Sequence, residues 1–339
     1  MKAVVTLGDG KCQIRDVPLP ALEPGYLLVK VIVAAQNPTD WKMLLQNKQP
    51  GNIIGCDFAG VVANVGDCDS WSVGDRVAGC IHGGIGPNGA FAEYLSADSS
   101  LLFALPPQVS FEHGAQLGIA CVTACQSLYQ TLRLPPPFNP AATPEDILIW
   151  SGTSAMGQYL IQFAKLSGFR VISTASLNNI QFVKDLGADL VFDYADSLTC
   201  KRIVKATRNS LRYAVDCISE GTTRAQTSWS LGANGGTIAT LLPYKCRLPR
   251  VDTEFVLAYS YLGKPVKFPF EFPANAEHYE NGRSYCRLVS HLLAKDLLKP
   301  VPIRLYPDGL ASVHQGLEDM QNGKIHAEKI TYRITDTPD

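Results

Sequence analysis

Ile147-Leu148-Ile149-Trp150-Ser151-Gly152-Thr153-Ser154-Ala155-Met156-Gly157 is the stretch that decides the fold. Four consecutive apolar residues read as a strand buried on both faces, the usual condition of a parallel sheet. Small residues then make a tight turn. From Met156 to Ser167, Leu160, Phe163, Ala164 and Ser167 recur at helical spacing, and Gly168 closes the helix. The rhythm repeats with strands read at Val171–Thr174, Leu190–Phe192, Tyr213–Cys217 and Thr237–Leu241, and with a helix through Val183 that ends at Gly187. Five strands joined by helical crossovers predict a doubly wound parallel sheet.

Upstream, roughly the first hundred residues read as short strands punctuated by glycine, at Leu27–Ala34, Ile53–Val65 and Phe91–Leu95. They predict a small, irregular β-barrel or sandwich. Leu134-Pro135-Pro136-Pro137-Phe138-Asn139-Pro140 breaks the two rhythms apart. Beyond about Lys264 the pattern is mixed again, and Lys329–Ile334 reads as a strand returning to the first domain. A nucleotide-binding domain inserted into a β-rich one, with a cleft between them, is the expected organisation.

The 339 residues suffice for two domains with real cores, and 46% hydrophobic against 18% charged residues is a globular composition. A net charge of −1 gives no basic footprint for nucleic acid or an anionic membrane, so neither is expected as a partner. The N-terminus lacks the apolar stretch of a secretory signal, and no apolar run is long enough to span a bilayer. The ten cysteines contain no C-x-x-C pair. Thiols in a reducing compartment explain them, and a cytoplasmic location is expected.

In a doubly wound sheet the first strand-to-helix turn offers free N–H groups and a positive dipole end to a pyrophosphate. Here that turn is Ser151 to Gly157, with a degenerate glycine fingerprint; a Ser/Thr-rich helix cap without a ligand is the alternative. An NAD site usually carries an acid at the end of the second strand, to hold the ribose hydroxyls. This chain has Thr174-Ala175-Ser176-Leu177-Asn178-Asn179 and then Lys184, which can donate to a 2′-phosphate without repelling it. NADPH is therefore expected over NADH, although Ser176 and Asn179 could equally cap the next helix.

Gly55-Cys56-Asp57-Phe58-Ala59-Gly60-Val61-Val62-Ala63-Asn64-Val65-Gly66 resembles the glycine-rich stretch of medium-chain dehydrogenases/reductases. Val73-Gly74-Asp75-Arg76-Val77, Gly89-Ala90-Phe91-Ala92-Glu93-Tyr94 and Gly187-Ala188-Asp189 to Asp193-Tyr194 are similar to that superfamily's landmarks, in its order. The resemblance implies an α/β fold with two domains. A GroES-like β-barrel catalytic domain would span 1–125 and 265–339, and a Rossmann NADPH-binding domain with a doubly wound parallel sheet would span 126–264. At the positions matching the zinc ligands of metal-dependent members stand Asn37, Cys56 and the neighbourhood of Ile119, and of the structural cysteine cluster only Cys80 remains. No metal is expected, and Cys56 reads as a small buried residue.

Asn37-Pro38-Thr39-Asp40-Trp41-Lys42-Met43, the serines at 151 and 154, Asn209-Ser210-Leu211-Arg212-Tyr213-Ala214-Val215-Asp216-Cys217 and Ile325-His326-Ala327-Glu328-Lys329 resemble the fungal trans-acting enoyl reductases of polyketide pathways, of the lovastatin type. The last stretch has alanine at 327 where that group commonly has glycine. The resemblance implies reduction of an α,β-unsaturated acyl thioester carried by the acyl carrier domain of a partner. That partner would be a polyketide synthase, or a polyketide synthase and peptide synthetase (PKS-NRPS) hybrid, whose own reductase domain is defective. A monomer is expected.

Carried over position by position, the resemblance implies catalytic roles for Lys42 and Thr123. A solvated loop lysine and a helix-interior hydroxyl are the respective alternatives. Cofactor contacts are implied for Thr39, Asp40, Trp41 and Lys42, for Ser151, Gly152, Thr153, Ser154, Ala155 and Met156, and for Ser176, Asn178, Asn179 and Lys184. They are also implied for Tyr194, whose alternative is a core tyrosine, and for Leu241, Leu242, Ile325 and His326. The acyl pocket would be lined by Ala124, Cys125, Leu128, Leu257, Ala258, Tyr259, Ser260 and Tyr261. Lys264, Lys267, Arg283, Arg287, Lys295, Lys299 and Arg304 could face an acidic carrier or be a solvated surface. A stand-alone NADPH quinone or enone reductase, and a catalytically silent accessory binding subunit, are the rival functions.

Overall fold

The computed structural model describes residues 1–267 and 271–339. Two compact units are present: Met1–Val122 together with Tyr259–Asp339, and Thr123–Ala258. The junctions lie at 122/123 and 258/259, against 125/126 and 264/265 read from the sequence. Helix Gly118–Cys125 and the 3-10 turn Ala258–Leu262 run straight through them, so no change of composition marks either point.

In the first unit a seven-stranded sheet is built around Tyr26–Ala35, where Leu27, Val29, Val31 and Val33 are buried at the period of two that a strand requires. Two register shifts bend this strand, so it pairs with Asp57–Asn64, Tyr94–Asp98 and Lys329–Arg333, all antiparallel. The last of these is the returning strand read from the sequence. It enters with Thr331 opposite Ala35 and pairs in parallel with Ile303–Tyr306 on its other side. Strands at Ile53 and Phe91 start later than expected, at Asp57 and Tyr94. Gly55 takes a φ of +94° and packs where a side chain would collide with Phe91, which keeps the residues before Asp57 off the ladder. Phe58, Phe91 and Tyr332 are fully buried, with Phe91 meeting Tyr332 edge to face at 5.5 Å.

The second unit holds a parallel sheet in the order Leu190–Asp193, Arg170–Ala175, Asp146–Trp150, Tyr213–Asp216, Gly236–Thr240, Val251–Phe255. The sheet is therefore six-stranded, which corrects the five read from the sequence. Val251-Asp252-Thr253-Glu254-Phe255 was missed because it is an edge strand: Asp252 and Glu254 point to solvent and break the apolar run that marks the inner strands. Strand order reverses between Asp146–Trp150 and Tyr213–Asp216, and the carboxyl ends there are where α/β sheets bind ligands. Among the described residues no helix is long and apolar enough to cross a membrane.

Candidate active site

Helix Ala155–Leu166 begins at this switch point, and Ser154 caps it by accepting from the Gly157 N–H at 3.0 Å. The capping alternative thus holds for Ser154, and it leaves the first-turn N–H groups of Ala155 and Met156 without intrahelical acceptors. Ser151 sits at φ +69°, in left-handed backbone, and its N–H is tied to Thr174 Oγ1 at 2.9 Å. The Gly152 N–H bonds the Thr174 carbonyl at 2.9 Å. A side chain at Gly152 would collide with Ser173 Oγ, and one at Gly157 with the Ser151 carbonyl. Glycine thus stands at two points of the turn where a side chain has no room. These small residues around a helix N-terminus of three turns fit the pyrophosphate of a dinucleotide.

Next to that turn, strand Arg170–Ala175 ends in Ser176, whose Oγ accepts from Asn179 Nδ2 at 3.0 Å. Asn178 and Lys184 are exposed. The Tyr194 N–H bonds the Ala175 carbonyl at 3.2 Å, so Tyr194 stands beside Ser176. Its side chain is 50% exposed, and the core-tyrosine alternative fails. Across the switch point, buried Asp216 accepts from the N–H groups of Ile218 and Ser219 and from Thr223 Oγ1. Burial raises its pKa against those donors. Ser219 Oγ then accepts from the Leu241 N–H at 2.8 Å, which fixes the start of the Leu241-Leu242 segment. Sequence reasoning missed Asp216 and Ser219; a lone acid ending an apolar strand was the available signal.

Thr123, Ala124 and Cys125 lie buried on helix Gly118–Cys125, which continues through Leu128 as a π-helical turn. Ser127 Oγ donates to the Thr123 carbonyl at 2.8 Å. Gln126 Nε2 reaches the carbonyls of Leu257 and Ala258 at 3.4 Å, so these acyl-pocket candidates are neighbours.

In the first unit, Pro at the first position starts helix Pro38–Gln46, which carries Thr39, Asp40, Trp41 and Lys42. Lys42 is a helix residue, not a loop one, with its ammonium 5.6 Å from the Trp41 ring centroid. Thr39 Oγ1 lies 3.2 Å from the Tyr259 hydroxyl, and that hydroxyl lies 3.0 Å from Cys56 Sγ. Burial pushes both Tyr259 and Cys56 up, reinforced at Cys56 by the charge of Asp40 and at Tyr259 by the charges of Cys56 and Asp40. The Tyr261 hydroxyl donates to the Cys80 carbonyl at 2.7 Å, and Ser260 Oγ is 2.9 Å from His278 Nδ1. Tyr259, Ser260 and Tyr261 are all buried, each with its polar atom engaged. Asp40 is buried beside them, and burial lifts its carboxyl to about 7 against the Asn37 N–H and the Cys56 thiol.

Asn37, Asp57 and Lys329 form a buried polar group in this unit. Asn37 Nδ2 donates to Asp57 Oδ2 at 2.8 Å, Lys329 Nζ stands 3.1 Å from the same oxygen, and Lys329 Nζ also donates to Asn37 Oδ1. Asp57 Oδ1 accepts from the Ile119 N–H at 2.7 Å. At the positions matching a catalytic zinc stand the Asn37 amide, the Cys56 thiol bonded to Tyr259 and the apolar Ile119, with the Lys329 ammonium against Asn37. That set does not fit zinc. Among the described residues no group of three or more His, Cys, Asp or Glu could hold a metal ion.

Trp41 and Ile325 pack against one common core, and His326 is exposed just before Lys329. Ala327 takes φ +56°, the left-handed backbone region that favours glycine. Of the seven basic residues, Lys264 pairs with Glu23, Arg283 with Glu280 and Arg304 with Glu328, so three of those charges are locally answered. Arg287 bonds Ser284, and Lys267 and Lys295 are exposed.

Comparison with known proteins matches these features. Residues 23–107 fit the alcohol dehydrogenase GroES-like domain, and residues 155–241 the zinc-binding dehydrogenase family. Solved structures with the same fold include an alcohol dehydrogenase superfamily protein from Novosphingobium aromaticivorans, with TM-score 0.82 and 22% identity over 98% of this chain and 99% of that one. The CurK enoyl reductase has TM-score 0.79 and 17% identity, over 97% and 98%. The fold and the turn at Ser151 to Gly157 thus define an oxidoreductase of the medium-chain dehydrogenase/reductase superfamily, a fold that uses a nicotinamide cofactor. A trans-enoyl reductase of Alternaria alternata is 38% identical over 98% of both chains, and another of Gibberella fujikuroi is 37% identical over 98% of both. The chain belongs to the trans-enoyl reductase family within that superfamily.

Proposed function

We propose that the protein is a trans-acting enoyl reductase, adding hydride from NADPH to an α,β-unsaturated polyketide acyl thioester tethered to the carrier domain of a partner synthase. The observation that carries this reading is the Asn37, Asp57 and Lys329 group. It sets a buried ammonium against Asn37 and Asp57, in a chain alike over 98% of its length to a protein named a trans-enoyl reductase. When bound, NADPH supplies the hydride that reaches the β-carbon of the conjugated double bond.

The protein's own groups do the rest. The first-turn N–H groups of Ala155 and Met156 would bind the pyrophosphate, which the small residues Ser151, Gly152, Thr153 and Ser154 would let approach, and Ser176, Asn178, Asn179 and Lys184 would bind the 2′-phosphate, with Tyr194 on the adenosine side. No acid stands among these groups, so a 2′-phosphate meets donors without repulsion. Leu241 and Leu242, held by Ser219, and Thr123 would orient the nicotinamide end. The resemblance also implies cofactor contacts for Thr39, Asp40, Trp41, Ile325 and His326. As hydride adds at the β-carbon the thioester oxygen gains enolate charge, which the Lys42 ammonium would stabilise, and a proton then adds at the α-carbon to complete the saturated thioester. Ala124, Cys125, Leu128 and Leu257 to Tyr261 would line the acyl chain. The protein would act as a monomer, in the cytoplasm, on a synthase or PKS-NRPS hybrid with a defective reductase domain.

The test is NADPH oxidation by the purified protein with an unsaturated acyl-pantetheine thioester and, separately, with small quinones. Turnover of the thioester is expected. Turnover of quinones alone would replace this reading with that of a quinone reductase, and absence of NADPH binding would leave an accessory subunit.

A further inference from the structure

We propose that Lys329 is a positioning residue: its ammonium fixes the starts of the two helices that carry Lys42 and Thr123 by holding Asn37 and Asp57. This deepens the enoyl reductase reading and rests on it. Lys329 is 3% exposed and Asp57 fully buried, so the pair is shielded from solvent competition. The two carboxylate oxygens of Asp57 divide their work. Oδ2 receives Lys329 Nζ and Asn37 Nδ2, whereas Oδ1 receives the Ile119 N–H at the first turn of helix Gly118–Cys125.

Asn37 is in turn the residue that precedes helix Pro38–Gln46. Its carbonyl accepts from the Asp40 N–H at 3.0 Å, and its own N–H donates to Asp40 Oδ2 at 2.6 Å. With Nδ2 committed to Asp57 and Oδ1 to Lys329, the amide has one orientation only. Gly118 completes the arrangement, because a side chain there would collide with Asp57 Oδ1. Residues 37, 57, 119 and 329 are far apart in the chain, and what joins them is one cation with directional donors, the task a metal performs with bonds. Removing that cation leaves a buried carboxylate without its counter-charge and an amide free to turn, so both helix starts lose their reference.

The test compares Lys329→Met, Lys329→Arg and the charge-neutral double variant Lys329→Met/Asp57→Asn. Melting temperature, NADPH-binding stoichiometry, kcat and KM for the enoyl thioester, and amide hydrogen exchange over residues 38–46 and 118–125 are measured on each. The double variant, which keeps no uncompensated charge, is expected to fold and bind NADPH stoichiometrically while kcat per binding site falls roughly 10- to 100-fold. Exchange is expected to rise in both helices, and Lys329→Arg to recover kcat relative to Lys329→Met. If kcat per NADPH-binding site in the double variant equals that of the unmodified protein, or exchange in both helices stays unchanged, the positioning role is overturned. The exchange measurement needs no substrate. It therefore decides the role of Lys329 even if the unmodified protein proves inactive on enoyl thioesters, an outcome that would count against the substrate reading alone.

Discussion

Tyr259 stacks face to face on His82, with ring centroids 3.7 Å apart and planes 12° from parallel, and this holds its hydroxyl between Thr39 and Cys56. Thr39 and His82, on either side of the glycine-rich stretch, and Cys56 within it are thereby joined to one residue of the 3-10 turn Ala258–Leu262. Replacing Tyr259 with Phe keeps the stack and removes the bonds. Thr39 Oγ1 and Cys56 Sγ then lose a partner, at a cost of about 1–2 kcal/mol. Chemical denaturation measures it; an unchanged midpoint would mean the hydroxyl contributes nothing to stability.

The same cluster sets a pH dependence with two opposed parts. Burial lowers His82 from 6.5 to about 4, so its contribution is complete above 6.5 and is lost as pH falls towards 4. Burial raises Asp40 from 3.8 to about 7, so its contribution is complete below 3.8 and is lost as pH rises through 7. Between about pH 4 and 6.5 the folded chain gains one proton at Asp40 and loses one at His82 relative to the unfolded chain, and the two slopes cancel. In Asp40→Asn only His82 remains, so stability should rise with pH over that window. A profile parallel to that of the unmodified protein would refute the assignment.

Lys42→Ala should lower kcat more than it weakens NADPH binding, because the ammonium is proposed to act on charge that appears only during reduction. Stopped-flow turnover and an NADPH titration separate the two. Equal losses would make Lys42 a cofactor residue only.

Ser176→Asp places a carboxylate at the end of strand Arg170–Ala175, where Asn179 now donates to Ser176 Oγ. Like charges a few ångströms apart near a protein surface cost more than about 1.4 kcal/mol, so the NADPH to NADH preference should fall by roughly tenfold or more. If the preference holds, the 2′-phosphate is bound elsewhere.

The parts of the fold that local pattern controls were legible in advance. Ile147 to Gly168 showed strand, turn and helix because burial on both faces and a helical period leave a mark in adjacent residues. Val251–Phe255 did not, since an edge strand with Asp252 and Glu254 facing water looks like a loop. The Asp57 and Lys329 pair spans 272 residues, and no local period could join them. Its signal was indirect: an acid inside the apolar run Gly55 to Gly66, and a lysine heading the strand Lys329–Arg333, whose next three residues are buried too. Either one, buried, needs a partner of opposite charge. With Asn37 in place of a strong zinc ligand no metal was expected and Cys56 was read as a small buried residue, but what surrounds them was not readable. Cys56 is buried as expected, and its bond to Tyr259 was not foreseen.

The most direct test of the proposed function is reconstitution with the partner synthase. The synthase is incubated with its substrates and NADPH, with and without this protein, and the released polyketides are compared by mass. A trans-acting enoyl reductase predicts a product carrying two more hydrogens for each double bond reduced, formed only when both the protein and NADPH are present. Identical products with and without the protein, from a synthase that is active, would contradict it.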